Sequence, residues 1–325
     1  MHFPGLRKQI VVPLFLLLPA CGSGVTTQDG AAATSASTAL SKNSARGKEA
    51  AVSYRYEIVD VPGATRTRIW AINDLGVVVG DISEASGDSP AFLRTPNGTV
   101  TTVTSEGAHS TLRGINDLGI SVGFFAVATP QGPNASEFHG FIRMPGGGTT
   151  QVDYPGAPDS ALLGINNRGE LVGQYDLGDQ SVGGSFILDN GKYTNFVDPP
   201  GSMPFNVFAQ AANDPGLIVG SFIGSDGIQH AFVLKDGIYT TFDVPGSIGT
   251  VLVGVNDRGQ AVGVADSGGF VLDTATMTIS ASIACPGGFS FPNGINNRGQ
   301  VAGTCKFLGE PGPAGHGFIA TPVDD

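Results

Sequence analysis

Charge is scarce in this sequence, since only 14% of its 325 residues are Asp, Glu, Lys or Arg. Basic charge is scarcer still. From Tyr54 to the end, 12 Lys and Arg stand against 26 Asp and Glu, a net of −14. Nucleic-acid binding normally begins with a basic patch, so this balance argues against it. An acidic body favours cations or basic partners. Past the N-terminal region no window carries an apolar stripe of period 3.6, so helices are not expected there. A Gly-x-Ser-x-Gly elbow and a Walker phosphate loop are both missing, which leaves nucleophilic catalysis and nucleotide binding without a motif. What abounds is glycine, at 49 residues, which suits an all-β chain with many tight turns.

Residues 1–20 read as an export signal. Arg7 and Lys8 precede a short apolar run, Ile10 to Leu18, which is short for a bilayer span. The stretch Leu18-Pro19-Ala20-Cys21-Gly22 resembles the bacterial lipobox, with Pro19 as an unusual member. That resemblance implies a lipid on Cys21 and a membrane-anchored protein of the outer membrane, periplasm or cell surface. The alternative is an ordinary secretory signal cut near Ala20, and both readings export the chain. Residues 21–53 then form an Ala-, Ser- and Thr-rich tether with too little apolar surface to fold.

The remainder, 54–325, is organised by repetition. An Asn-centred turn recurs at Asn73, Asn116, Asn166, Asn213, Asn256 and Asn296, with spacings of 43, 50, 47, 43 and 40 residues. This is the length of a four-stranded propeller blade. Each unit has a first strand ending near the Ile-Asn turn, as in Leu112 to Asn116. A second strand holds Val-Gly, as at Val79-Gly80. A third is built on Phe92, Phe141, Phe186, Phe232, Phe270 or Phe318. A fourth is rich in Thr, Val or Tyr. Asn97-Gly98, Asn190-Gly191 and Asp236-Gly237 are hairpin turns between the third and fourth. The repeat region opens at Tyr56 to Gly63 with an unaccompanied fourth strand and closes at His316 to Ile319 with an unaccompanied third. The fold expected is a six-bladed β-propeller of four-stranded blades, closed by the N-terminal strand completing the last blade.

His230-Ala231-Phe232, with His139-Gly140-Phe141 and His316-Gly317-Phe318, resembles the bacterial extracellular HAF repeat, named for its His-Ala-Phe tripeptide. The resemblance runs from Tyr54 to about Thr321. It implies secretion and a propeller-like repeat fold, and brings no catalytic set with it.

Propeller topology puts the first-to-second and third-to-fourth turns on one face, where they read as structural punctuation. The longer, varied second-to-third loops lie on the other, where binding tends to reside. Those loops hold Asp81, Glu84, Asp88, Asp176, Asp179, Asp226 and Asp266, with Lys306 as the sole base among them. This acidic face is the candidate site for a basic partner or for calcium, although no loop has dedicated calcium spacing and a solvated rim explains it as well. No other cofactor is indicated. The repeated Asn-Asp pairs read as Asx turns rather than metal ligands. His139, His230 and His316, on alternate units, stand too far from the axis to share one ion. Cys285 and Cys305, at apolar positions of the sixth unit in an exported chain, suggest a disulfide, the alternative being two buried thiols. The reading that results is a membrane-tethered, non-enzymatic scaffold binding a protein, glycan or ion through its loop face. The alternative is a propeller hydrolase or lyase acting on a carbohydrate or lactone, marked by unlike polar side chains converging at the channel mouth.

Overall fold

The computed structural model describes residues 52–103, 109–129, 136–178, 183–310 and 315–323. The export signal, Cys21, most of the tether and Asp179 lie outside the described residues. The rest is all β, with six antiparallel sheets of four strands each, arranged as a six-bladed propeller. Five blades are sequential meanders. Their first strands are Arg66–Ile72, His109–Ile115, Asp159–Ile165, Ser202–Ala212 and Thr250–Val255, and the sixth blade begins with Gly288–Ile295. These six strands contact one another in sequence around the ring and so line the axis.

The Val-Gly motif of each second strand has a steric cause. In every blade the first strand carries one residue more than its partner. Ile69 pairs with Gly80 and Ala71 with Val79, which leaves Trp70 unpaired, and the same shift recurs in the other five blades. The bulge presses a backbone carbonyl onto the second strand. A Cβ at Gly80 or Gly123 would lie against the carbonyl oxygen of Arg68 or Thr111, so only glycine fits. The third-strand phenylalanines are buried in all six blades. They pack between neighbouring blades: Phe92 of the first blade shares a cluster with Ile319 and Ala302 of the sixth. The hairpin turns behave as their sequences require, with Asn190-Gly191 and Asp236-Gly237 both at positive φ.

Closure follows the expected route. Ser53–Val59 pairs antiparallel with His316–Val323, from Ser53 opposite Val323 to Val59 opposite Gly317, and completes the sixth blade. The Tyr56 hydroxyl accepts a hydrogen bond from the Ala284 amide at 2.9 Å, and its ring lies 5.7 Å from that of Phe318. Cys285 and Cys305 are joined in a disulfide, with Cα atoms 6.0 Å apart. The bond is not internal to one blade. Cys285 follows the outer strand of the fifth blade, Thr278–Ile283, while Cys305 lies in the second strand of the sixth, Val301–Phe307. It therefore staples two blades beside the closure, a loop worth about 3 kcal/mol in the chain-entropy picture.

Candidate functional site at the ring axis

The unpaired bulge residue differs in all six units: Trp70, Arg113, Leu163, Gln210, Val253 and Asn293. Because the first strands surround the axis, these unlike residues form one layer across the channel. The Arg113 guanidinium stacks 3.6 Å over the Trp70 ring and reaches Gln210 Oε1 on the fourth blade at 3.4 Å. Asn293 Nδ2 donates to the Ile69 carbonyl at 2.7 Å, across the closure. Gln210 Nε2 and Asn293 Oδ1 are buried without a hydrogen-bond partner.

Asp81 anchors the layer. It lies within the strand Val78–Ser83 and not in a loop, and is 1% exposed. Its Oδ2 accepts from Arg68 Nε and Nη2 at 2.9 and 2.7 Å, and its Oδ1 from Trp70 Nε1 at 2.7 Å and Thr111 Oγ1 at 3.1 Å. Of these four charge-assisted bonds one fixes the indole and two pair the carboxylate with Arg68. Among the described residues no carboxylate pairs with Arg113. Burial lowers its pKa to about 9, Arg68 pushes the same way, and Asp81 offsets part of the shift. The layer thus holds a protonated, under-compensated guanidinium inside an acidic body.

The Asn turns do more than punctuate. Each turn asparagine accepts its own turn's N–H through Oδ1 and donates through Nδ2 to the carbonyl of the next turn. From Asn73 to Asn116, Asn166, Asn213, Asn256, Asn296 and back to Asn73, the bonds are 2.8–3.2 Å and close a ring. A second ring runs through the following residues, each backbone N–H donating to the next side chain's Oδ1 at 2.6–2.9 Å. Its side chains are Asp74, Asp117, Asn167, Asp214, Asp257 and Asn297. The two asparagines stand opposite one another, and Asn297 donates to both Asp74 and Asp257, at 2.9 and 2.8 Å. Six adjacent carboxylates would repel, and the two amides divide them into two pairs. The turns line a shallow, repetitive dish at this mouth.

The acidic loop residues do not converge. Glu84 and Asp88 share one turn, where Asp88 accepts from Ser86 Oγ. Asp176 caps Gly178, Asp226 caps Ile228, and Asp266 accepts from the Ile248 amide. Each carboxylate serves its own or the adjoining loop. Among the described residues no three His, Cys, Asp or Glu side chains form a set able to hold a metal ion.

The repeat histidines stay separate and structural. Nδ1 of His139, His230 and His316 meets Asp153, Asp243 and Asp60 at 2.9–3.0 Å, and each ring packs on a phenylalanine of the second strand. His230 and His316 also face Asp226 and Glu310. Burial works against the charged form of both rings, yet the two facing carboxylates outweigh it and raise their pKa values. Groups raised on folding stabilise fully below the ordinary imidazole value, about 6.5, and that stabilisation fades as pH rises through the raised values. Melting temperature is expected to fall as pH rises above about 6.5. The H230Q/H316Q double variant, followed by calorimetry, should lose most of that slope.

No protein-family profile matches the chain, and no curated protein is significantly similar to it. Solved structures do match. A putative gluconolactonase aligns with a TM-score of 0.53 and 13% identity over 86% of this chain and 96% of its own. A luciferin-regenerating enzyme has a TM-score of 0.49 and 11% identity, over 82% and 95% of the two chains. AofleA from Arthrobotrys oligospora has 0.49 and 12%, over 84% and 90%. The likeness to the first is one of fold.

Proposed function

We propose that this chain is an exported propeller, tethered to a membrane through lipidated Cys21, that takes a small organic molecule at its ring axis, and that hydrolysis of a lactone or carbohydrate derivative is its activity. The observation that carries the axial site is the bulge layer. Trp70, Arg113, Gln210 and Asn293 are unlike polar and aromatic groups converging from the first, second, fourth and sixth blades, which a purely structural ring does not require. The loop-face scaffold ranks second, because the carboxylates expected to make that face a site are dispersed and engaged in their own turns. A propeller of like fold bearing the name gluconolactonase makes lactones the first substrates to assay.

Arg113 can contribute charge stabilisation. Attack on an ester carbonyl moves negative charge to its oxygen, and a preorganised guanidinium in a low-dielectric channel favours that state over the neutral substrate. Asp81 positions this group indirectly by holding Trp70 beneath it. Calcium is given no step, since the described carboxylates do not gather around a common point. The test is a pH-stat panel of aldonolactones and alkyl lactones on the purified chain, with and without calcium. Turnover by the wild type, falling about 100-fold in kcat/KM in Arg113→Gln, is the expected result. No turnover of any lactone or sugar ester would return the loop-face scaffold to first place.

A further inference from the structure

The bulge layer also has a chemical asymmetry. Two residues nearer the loop face, the first two blades carry Arg68 and Thr111, while the fourth and sixth carry Phe208 and Phe291. Arg113, Trp70 and Phe208 are only half-buried. For residues of axis-lining strands, that exposure is to the channel. Across the axis from Arg68 on the first blade, the fourth blade offers the aromatic carbon of Phe208. The layer also holds two buried polar atoms that find no hydrogen-bond partner among the described residues, the donor Gln210 Nε2 and the acceptor Asn293 Oδ1, both in residues at least nine-tenths buried. A buried donor or acceptor without a partner is costly, on the order of 1–3 kcal/mol, and calls for a partner such as water or a ligand's polar group.

We propose that this layer binds a small hydroxycarboxylate with an apolar chain. Its carboxylate accepts from Arg113 and Gln210 Nε2, its hydroxyl donates to Asn293 Oδ1, and its chain lies along Phe208. The inference rests on the axial reading above and narrows it, since an opened alkyl lactone is such an acid. A sugar acid fits less well: its hydroxyls would face phenylalanine, and the Trp70 face that could stack on a pyranose is covered by Arg113.

Trp70 is the sole tryptophan of the chain, so its emission reports this layer directly. The experiment titrates the purified full chain with 4-hydroxyoctanoate, octanoate, octanol and gluconate at constant ionic strength. Saturable change with 4-hydroxyoctanoate is expected, with octanoate weaker by about three- to tenfold for the missing hydroxyl. Octanol and gluconate should leave the emission unchanged. Arg113→Gln should weaken the acid by about tenfold or more, and Phe208→Ala should do so without changing salt dependence. If Arg113→Gln does not fold, Phe208→Ala and Asn293→Leu supply the test. Octanol acting like octanoate, or R113Q titrating like the wild type, overturns the proposal. Gluconate binding in place of octanoate overturns the apolar chain and leaves the axial site standing. Lactone turnover with no ligand response at Trp70 overturns this site and leaves the hydrolase reading intact.

Discussion

A chain lacking residues 53–61 should fail to form a monomeric, cooperatively melting propeller. The deletion removes all seven residue pairs that Ser53–Val59 makes with His316–Val323. It also removes Val59 and Val61, both buried in the cluster between the first and sixth blades, and Asp60, the partner of His316. The two valines are worth about 1.5–3 kcal/mol each and each lost backbone bond about 0.5–1.5 kcal/mol. Together these rival the whole stability of a typical domain, about 5–15 kcal/mol. The shortened chain would present the bare edge of His316–Val323, an invitation to pair with other chains. Size-exclusion chromatography and thermal melting check this. A monomer that melts cooperatively near the wild-type temperature would show that the ring does not depend on its closing strand.

The second large effect is expected at the asparagine ring. Asn116→Ala leaves the Ile120 amide without Asn116 Oδ1, at 3.0 Å, and the Asn166 carbonyl without Asn116 Nδ2, at 3.1 Å. Asn116 is 3% exposed, so water cannot readily replace both bonds. Two buried groups losing partners at about 1–3 kcal/mol each predicts a loss of about 2–6 kcal/mol, read by urea unfolding. Asn116→Asp keeps the acceptor and loses the donor, so it should fall between wild type and alanine in destabilisation. A change within about 0.5 kcal/mol for Asn116→Ala, the range of ordinary surface substitutions, would mean that the ring is ornamental to stability.

Much of the scaffold was legible because its causes are local and repeated. Six Asn-centred turns, six buried phenylalanines and the Asn-Gly and Asp-Gly hairpins state their conformations within a few residues. The mismatched ends, Tyr56 to Gly63 and His316 to Ile319, announced closure. The cysteine pair was legible as a bond, while its placement between two blades depended on where the fifth blade ends. The site was misread for a different reason. Asp81 looks like one more loop carboxylate, and only the register of Val78–Ser83 against Arg66–Ile72 buries it beside Arg68. A signal was available in the residue preceding Gly-Ile-Asn or its equivalents, Trp70 through Asn293, and in the residue after Val-Gly, Asp81 in the first unit, both of which differ in all six units.

The sequence by itself determined the number of blades, their strand order and the means of closure, because those follow from short-range periodicity and turn chemistry. Only the tertiary structure decided that the asparagines close into a ring and that Arg113 lies on Trp70 beside two unfulfilled amides. Residues 40 to 50 positions apart in the chain become neighbours when six bulged strands are wrapped around one axis. No local pattern encodes which side chains then face each other across it.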